Sequence, residues 1–258
     1  MKNILKIIYL AVLFAGINPV SAAEKTSLLK VDWSFKGIFG KFDRGSLQRG
    51  YQVYTEVCAS CHSMKYLSYR NLAEKGGPEF SIEQVKAIAA SFEVTDGPNS
   101  DGEMFERPAK LSDKFVKPYE NVKAAQAANG GAYPPDMSVL AKARSGGVDY
   151  IYSVLLGYED PPSGVTLDDG VYYNKYMYGN NIKMAQPLSD GLIEYTDGTI
   201  ASEEQMAKDV STFLMWAAEP HLEARHKMGF KAILYLIILT ILVYFSMKKI
   251  WSRIESKV

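Results

Sequence analysis

The chain has 258 residues, 47% of them hydrophobic, and its 29 basic side chains balance 29 acidic ones. That zero net charge hides an asymmetry: removing an N-terminal leader and a C-terminal anchor and tail leaves 22 basic against 28 acidic residues, about −6 on the exported part. An acidic domain of this kind excludes nucleic acid as a partner and favours a basic one.

In chain order, the first feature is Lys2 and Lys6 around an apolar run, Ile4 to Ala15, followed by small residues ending Val20-Ser-Ala-Ala23. This reads as a secretory signal peptide over residues 1–22, with cleavage near Ala22 or Ala23. A short transmembrane anchor is the competing reading, and the run is too short for it. Asp43 or Ser46 can cap a helix running through Tyr51, Tyr54 and Val57 into Cys58. Ser81 with Gln84 three residues on forms a capping box for a second helix, whose apolar face is Ile82, Val85, Ile88, Ala89 and Phe92. Pro118 opens a third that runs through Val122 to Asn129 and stops at Gly130-Gly131. Short helices are expected across Ser138–Ala143 and Val148–Leu156. The last helix of the exported part has Ser202 as cap, Gln205 completing a box, a stripe of Met206, Val210, Phe213, Leu214 and Ala217, and Pro220 as its stop. Strand signals are thin, with short pairs around Val171–Tyr173 and Ile193–Tyr195.

The hydrophobic run Gly229 to Met247 has Lys231 as its only charge. At ~1.5 Å per residue it reaches ~28 Å, enough to cross a hydrocarbon core. Tyr235, Tyr244 and Trp251 sit where interfacial aromatics are expected, and the basic tail, residues 248–258, is expected on the cytoplasmic side. The domain plan is thus a leader over 1–22, an exported domain over 23–228, a transmembrane anchor over 229–247 and a tail.

The chemistry is concentrated in Cys58-Ala-Ser-Cys61-His62, the C-x-x-C-H string at which haem c is covalently attached. Two thiols add across the two vinyl groups of the haem, and the adjacent imidazole swings under the iron. A thioredoxin-like pair has no need of His62, and a zinc site needs a second ligand pair, whereas the other histidines, His221 and His226, lie far away in sequence. Cys58 and Cys61 are the only cysteines, so attachment would consume both. The sixth ligand is open among several methionines. Met64 is too close to His62; Met206 and Met215 sit in a helix; Met104 lies in an acidic loop and Met137 closely follows two prolines. Met177 and Met184 share an irregular Tyr-, Asn- and Gly-rich stretch. Met184 is favoured, because Gln186-Pro-Leu188 can hold a thioether rigidly over a haem. A closed histidine–methionine site carries electrons, whereas an open site binds small ligands.

Trp33-Ser-Phe-Lys-Gly37, Gly50-Tyr-Gln-Val-Tyr54, Arg107-Pro-Ala-Lys-Leu-Ser-Asp113, Gly131-Ala-Tyr-Pro-Pro-Asp136, Ile182-Lys-Met184 and Trp216-Ala-Ala-Glu-Pro220, with the cysteine string, resemble the cytochrome c1 family across essentially the whole chain. That resemblance implies a mainly α, class I c-type cytochrome fold with long loop insertions plus one C-terminal transmembrane helix. It implies one covalent haem c on Cys58 and Cys61, with His62 and Met184 as axial ligands. Arg107 matches a residue that contacts a haem propionate, and Pro134 and Pro135 match part of the haem wall. Tyr133 stands where an aliphatic residue is expected, and a proline usual nearer the ligand methionine is missing. The implied function is one-electron relay in the respiratory cytochrome bc complex, from a Rieske iron–sulfur protein to cytochrome c. Quinol oxidation would fall to partner subunits, and no side chain here would act as acid, base or nucleophile. The implied partners are cytochrome b, the Rieske protein and cytochrome c within a dimeric complex, at a bacterial inner membrane with the haem domain on the periplasmic side. A membrane-anchored cytochrome c serving a terminal oxidase, an open-site haem peroxidase or sensor, and an assembly scaffold are the alternatives. Two acidic groups could meet a basic partner: Glu93, Asp96, Asp101, Glu103 and Glu106, and Glu159, Asp160, Asp168 and Asp169.

Overall fold

A computed structural model describes residues 26–255; the expected leader lies outside them. The first helix, α1 (Arg44–Glu56), starts at Asp43, whose extended backbone places its carboxylate to accept from Ser46 N at 2.8 Å. Of the two candidate caps Asp43 is therefore the one used, satisfying a backbone donor the first turn cannot. Leu47, Gly50, Tyr51, Val53 and Tyr54 form its buried face.

That face packs on α6 (Glu203–Ala218), whose Ser202 hydroxyl accepts from Gln205 N at 3.2 Å. The helices cross at Gly50, where a Cβ would lie 2.2 Å from Asp209 O and 2.7 Å from Phe213 Cβ. Only a residue without a side chain permits so close an approach. Beside the crossing, Arg49 donates to both carboxylate oxygens of the fully buried Asp209, at 2.8 and 3.2 Å. Gln205 also turns to Asp209, at 2.9 Å, and so does not close the box expected with Ser202: a buried charge outcompetes a solvent-exposed cap. Tyr51, Tyr54, Phe213, Trp216, Phe115 and Tyr69 stack around this crossing at centroid separations of 5.0 to 6.1 Å.

The capping box of Ser81 and Gln84 forms as expected and opens α2 (Ile82–Ala90). A hairpin that the sequence did not signal follows: β1 (Glu93–Asp96) pairs antiparallel with β2 (Phe105–Pro108). Its strands are short and mostly exposed, with Val94 and Phe105 as their large apolar residues, so no run of apolar alternation marks it. α3 (Val122–Ala128) is capped by Asn121, which accepts from Ala124 N at 3.0 Å; Pro118 lies outside it, correcting the expected start. α4 (Leu140–Ala143) and α5 (Gly147–Leu155) follow, both within a residue or two of expectation. β3 (Tyr172–Tyr173) pairs with β4 (Asn181–Ile182), not with Ile193–Tyr195, which bends between turns and buries Tyr195 in the core.

After α6 a short turn at Pro220 leads into α7 (Leu222–Glu255), 34 residues without a break. Its first turn packs into the body of the molecule: Leu222 and Glu223 are buried. Glu223 accepts from Phe42 N at 3.0 Å and from Arg44 at 2.8 and 3.0 Å. Beyond Lys227 the apolar residues face outward, Phe230, Ile233, Leu236, Ile237 and Leu242 among them. The helix is long and apolar enough to cross a membrane. The molecule is thus mainly helical with one long apolar C-terminal helix.

Candidate haem-binding site

α1 delivers the cysteine string. Past Glu56 the backbone tightens into a 3₁₀ turn, Cys58–Ser60, in which the Cys58 carbonyl accepts from both Cys61 N at 3.1 Å and His62 N at 2.8 Å. One turn therefore carries both thiols and the imidazole. The two thiols are not joined to each other. Burial, with Cys61 nearby, pushes the Cys58 thiol up to about 12. No cluster of three or more His, Cys, Asp or Glu suited to a metal ion exists among the described residues.

His62 is 9% exposed, and its Nδ1 lies 2.8 Å from the Pro135 carbonyl. A carbonyl only accepts, so Nδ1 carries the hydrogen and Nε2 keeps its lone pair. Burial lowers the pKa of the ring and so favours its neutral form, outweighing the help Pro135 O and Asp136 give to the charged form. A neutral imidazole with a fixed ring and a free Nε2, one residue beyond two unpaired thiols, fits a covalently attached haem.

The loop carrying Pro135 is strapped to the segment after His62. Asp136 accepts from Ser63 Oγ at 2.8 Å and from Lys65 N at 3.0 Å through one oxygen, and from Ser138 N at 3.0 Å through the other. Met137 N donates to Ser63 O at 2.8 Å, and Tyr66 N to the buried Ser138 Oγ at 3.1 Å. Burial raises the Asp136 carboxyl, but the hydrogen bonds from Lys65, Ser138 and Ser63 win and hold it below its ordinary value. Asp136 is a positioning residue that sequence reasoning missed; its signal was an acid two residues before a serine, the pattern of an Asx turn. Pro134 is half-buried and Pro135 exposed, so the second proline contributes its carbonyl to the site.

The methionines separate by environment. Met64 and Met206 are fully buried in the core, Met137 nearly so, and Met104 is 60% exposed. Met215 is half-buried against the core. The Met177 sulfur accepts from Tyr150 Oη at 3.1 Å. Met184 lies in the bend after β4, half-buried against the apolar core, with its carbonyl held by Tyr158 Oη at 3.0 Å. Asn174, fully buried and donating to Val154 O at 2.7 Å, pins the β3–β4 hairpin to α5.

Arg107, expected to meet a propionate, sits on β2 with most of its donors committed. It pairs with Asp96, donates to both oxygens of Asp113 at 2.6 and 3.2 Å, and reaches Pro108 O at 3.0 Å. One of its five donors remains. The guanidinium beside them holds both Asp113 and Asp96 below the usual carboxylate range. The expected acidic groups are also partly compensated: Asp96 pairs with Arg107, and Glu159 with Lys175 at 3.1 Å.

A family model described as the Cytochrome C1 family matches residues 33–254. The chain is 52% identical over 239 residues to a cytochrome b/c1 of Bradyrhizobium diazoefficiens, covering 85% of this chain but only 35% of that longer protein's length. It is 50% identical over 225 residues to the mitochondrial cytochrome c1-2 heme protein of Solanum tuberosum, covering 87% of this chain and 85% of the relative. To the cytochrome c1 of Rhodospirillum rubrum it is 46% identical over 245 residues, 89% of each. With the cysteine turn and a fixed neutral histidine in place, these likenesses establish that the chain belongs to the cytochrome c1 family.

Proposed function

We propose that this chain is the haem-carrying one-electron relay of a ubiquinol–cytochrome c reductase, taking electrons from a Rieske iron–sulfur protein and passing them to cytochrome c. The observation that carries this is the single turn holding Cys58, Cys61 and His62, with His62 Nδ1 fixed on Pro135 O at 2.8 Å. When bound, the haem iron would supply a reversible one-electron couple. Cys58 and Cys61 would hold the ring by two thioethers, so that the group could not leave between turnovers. His62 offers Nε2 to the iron, and Pro135 and Asp136 prevent the ring from turning away. Met184 would offer its thioether to the iron from a bend pinned by Tyr158 and Asn174. Pro134 and Pro135 wall the site, and the remaining Arg107 donor serves a propionate. No side chain acts as acid, base or nucleophile; the chain fixes a redox group and presents it.

α7 spans the inner membrane once, the haem domain lies on the periplasmic side, and the chain assembles with cytochrome b and the Rieske protein in a dimeric complex. Apolar length supports the span, and the leader supports the side. Detergent purification of the full chain from its membrane tests the reading. Cytochrome b and the Rieske protein should co-purify, and acid–acetone should leave the haem on the polypeptide. Release of the haem, or co-purification with a terminal oxidase alone, would overturn it.

A further inference from the structure

We propose that the loop Gly37–Gly40 is a second, interfacial membrane contact, with Ile38 and Phe39 inserted among lipid acyl chains beside the upper end of α7. This rests on the reading of α7 as the membrane span. Ile38 and Phe39 are 72% and 76% exposed, although Trp33, Phe35 and Phe42 on either side are buried core residues. The exposure does not come from a slack loop. Lys36 N donates to Trp33 O at 3.0 Å, Gly40 N to Gly37 O at 3.2 Å and Lys41 N to Ser34 O at 3.0 Å, so the backbone is cross-tied on both limbs. Gly37 turns at φ +84°, and a Cβ on Gly40 would lie 2.3 Å from the Phe35 and Lys36 carbonyl oxygens. The turn is built to hold two large apolar side chains outward, an arrangement that costs free energy in water.

The covering phase follows from where the loop points. Phe39 packs on Phe230 with ring centroids 6.1 Å apart, and Phe230 is the second residue of the outward-facing apolar run expected to enter the hydrocarbon. The loop's exit and the helix's entry are clamped together, because Glu223 binds both Phe42 N and Arg44. Seven residues of helix separate Glu223 from Phe230, a rise of about 10 Å, so the loop reaches down the helix to the level of the bilayer surface. Lys41 follows the apolar pair in sequence, Lys227 and Lys231 flank Phe230, and all three are exposed and suit the phosphate level of the lipids. Two contact points, a helix and a rigid loop, prevent the haem domain from tilting about its anchor.

The test uses the full haem-loaded chain in nanodiscs of phosphatidylethanolamine and phosphatidylglycerol. Because Cys58 and Cys61 are consumed by the haem, an introduced cysteine is the reactive thiol. Nitroxide labels at Ile38→Cys, at mid-anchor Leu236→Cys and at hairpin Asp101→Cys are compared for collision with oxygen and with a water-soluble nickel chelate. Ile38 is exposed, so its replacement leaves the core intact. The Ile38→Cys label should be several-fold less accessible to nickel than Asp101→Cys while remaining open to oxygen. Nickel access equal to Asp101→Cys, with Leu236→Cys still shielded, would overturn the loop contact alone. Nickel access at Leu236→Cys would overturn the span beneath it. Shielding of Ile38→Cys from both probes would overturn the lipid contact in favour of a protein partner or a second copy.

Discussion

Replacing Gly50 with alanine should invert the usual sign of a helical glycine-to-alanine change. In a free helix it stabilises by about 1 kcal/mol. At the α1–α6 crossing the new Cβ lies 2.2 Å from Asp209 O, whereas ordinary contact begins at 3.4 Å, so the helices must part by about 1.2 Å, the difference of the two. The obstacle is backbone, which cannot swing aside. Overpacking a core costs ~1–3 kcal/mol, and the separation also stretches the bidentate Arg49–Asp209 pair, whose complete loss would cost ~3–5 kcal/mol. A net loss of roughly 2–4 kcal/mol is expected, the propensity gain being the smaller effect. For a domain of this size that lowers the melting temperature by about 5–15 °C. Urea unfolding of the haem-loaded protein, followed by far-UV circular dichroism and by haem absorbance, measures it. Both signals should shift together, because α1 leads directly into Cys58. Gly45→Ala in the same helix is the control: its Cβ meets only the Arg49 and Asp43 side-chain tips at 3.3 Å, so its stability should change by less than about 1 kcal/mol. Equal or raised stability in Gly50→Ala would refute the close-crossing argument.

Met184→Leu conserves volume, so stability should fall by less than about 1.5 kcal/mol, while the reduction potential drops sharply and carbon monoxide binds, checked by redox titration and absorbance; an unchanged potential would assign the ligand elsewhere. A chain stopped after Lys227 keeps Leu222 and the Glu223 clamp and should be secreted soluble and haem-loaded. A chain stopped after His221 loses both, leaves Phe42 N and Arg44 without that carboxylate, and should yield less haem-loaded protein on gel filtration; equal yields would show the clamp to be dispensable. Asp136 is depressed in the folded state, so its stabilisation is complete above the ordinary carboxylate value of about 3.9 and is lost as pH falls through its lower folded value. Unfolding free energy measured from pH 2 to 5 should show an acid-side decline that Asp136→Asn flattens, and an identical decline in the variant would exclude this carboxylate as the cause.

Much of this protein was readable before folding was considered, because the signals were local. Asp43, Ser81 and Ser202 cap helices by reaching three residues along their own chain, and the apolar length of the C-terminal run is a property of composition. The attachment string is local too, since both thiols and the imidazole share one turn. Tertiary structure decided whatever depends on a partner distant in sequence. The ring orientation of His62 is set by the Pro135 carbonyl, 73 residues away, and a backbone oxygen leaves no trace in residue identity. Gln205 abandons its cap because Arg49 draws Asp209 into the core from another helix. Arg107 meets Asp96 because β2 and β1, the strands that carry them, pair into a hairpin. The C-terminal helix begins at Leu222 rather than at the apolar boundary of Gly229, because Arg44 and Phe42 N satisfy a carboxylate that would otherwise stay in water. Short-range hydrogen bonds and burial patterns follow chain spacing, whereas buried charges and carbonyl partners follow only from which surfaces the folded chain brings together.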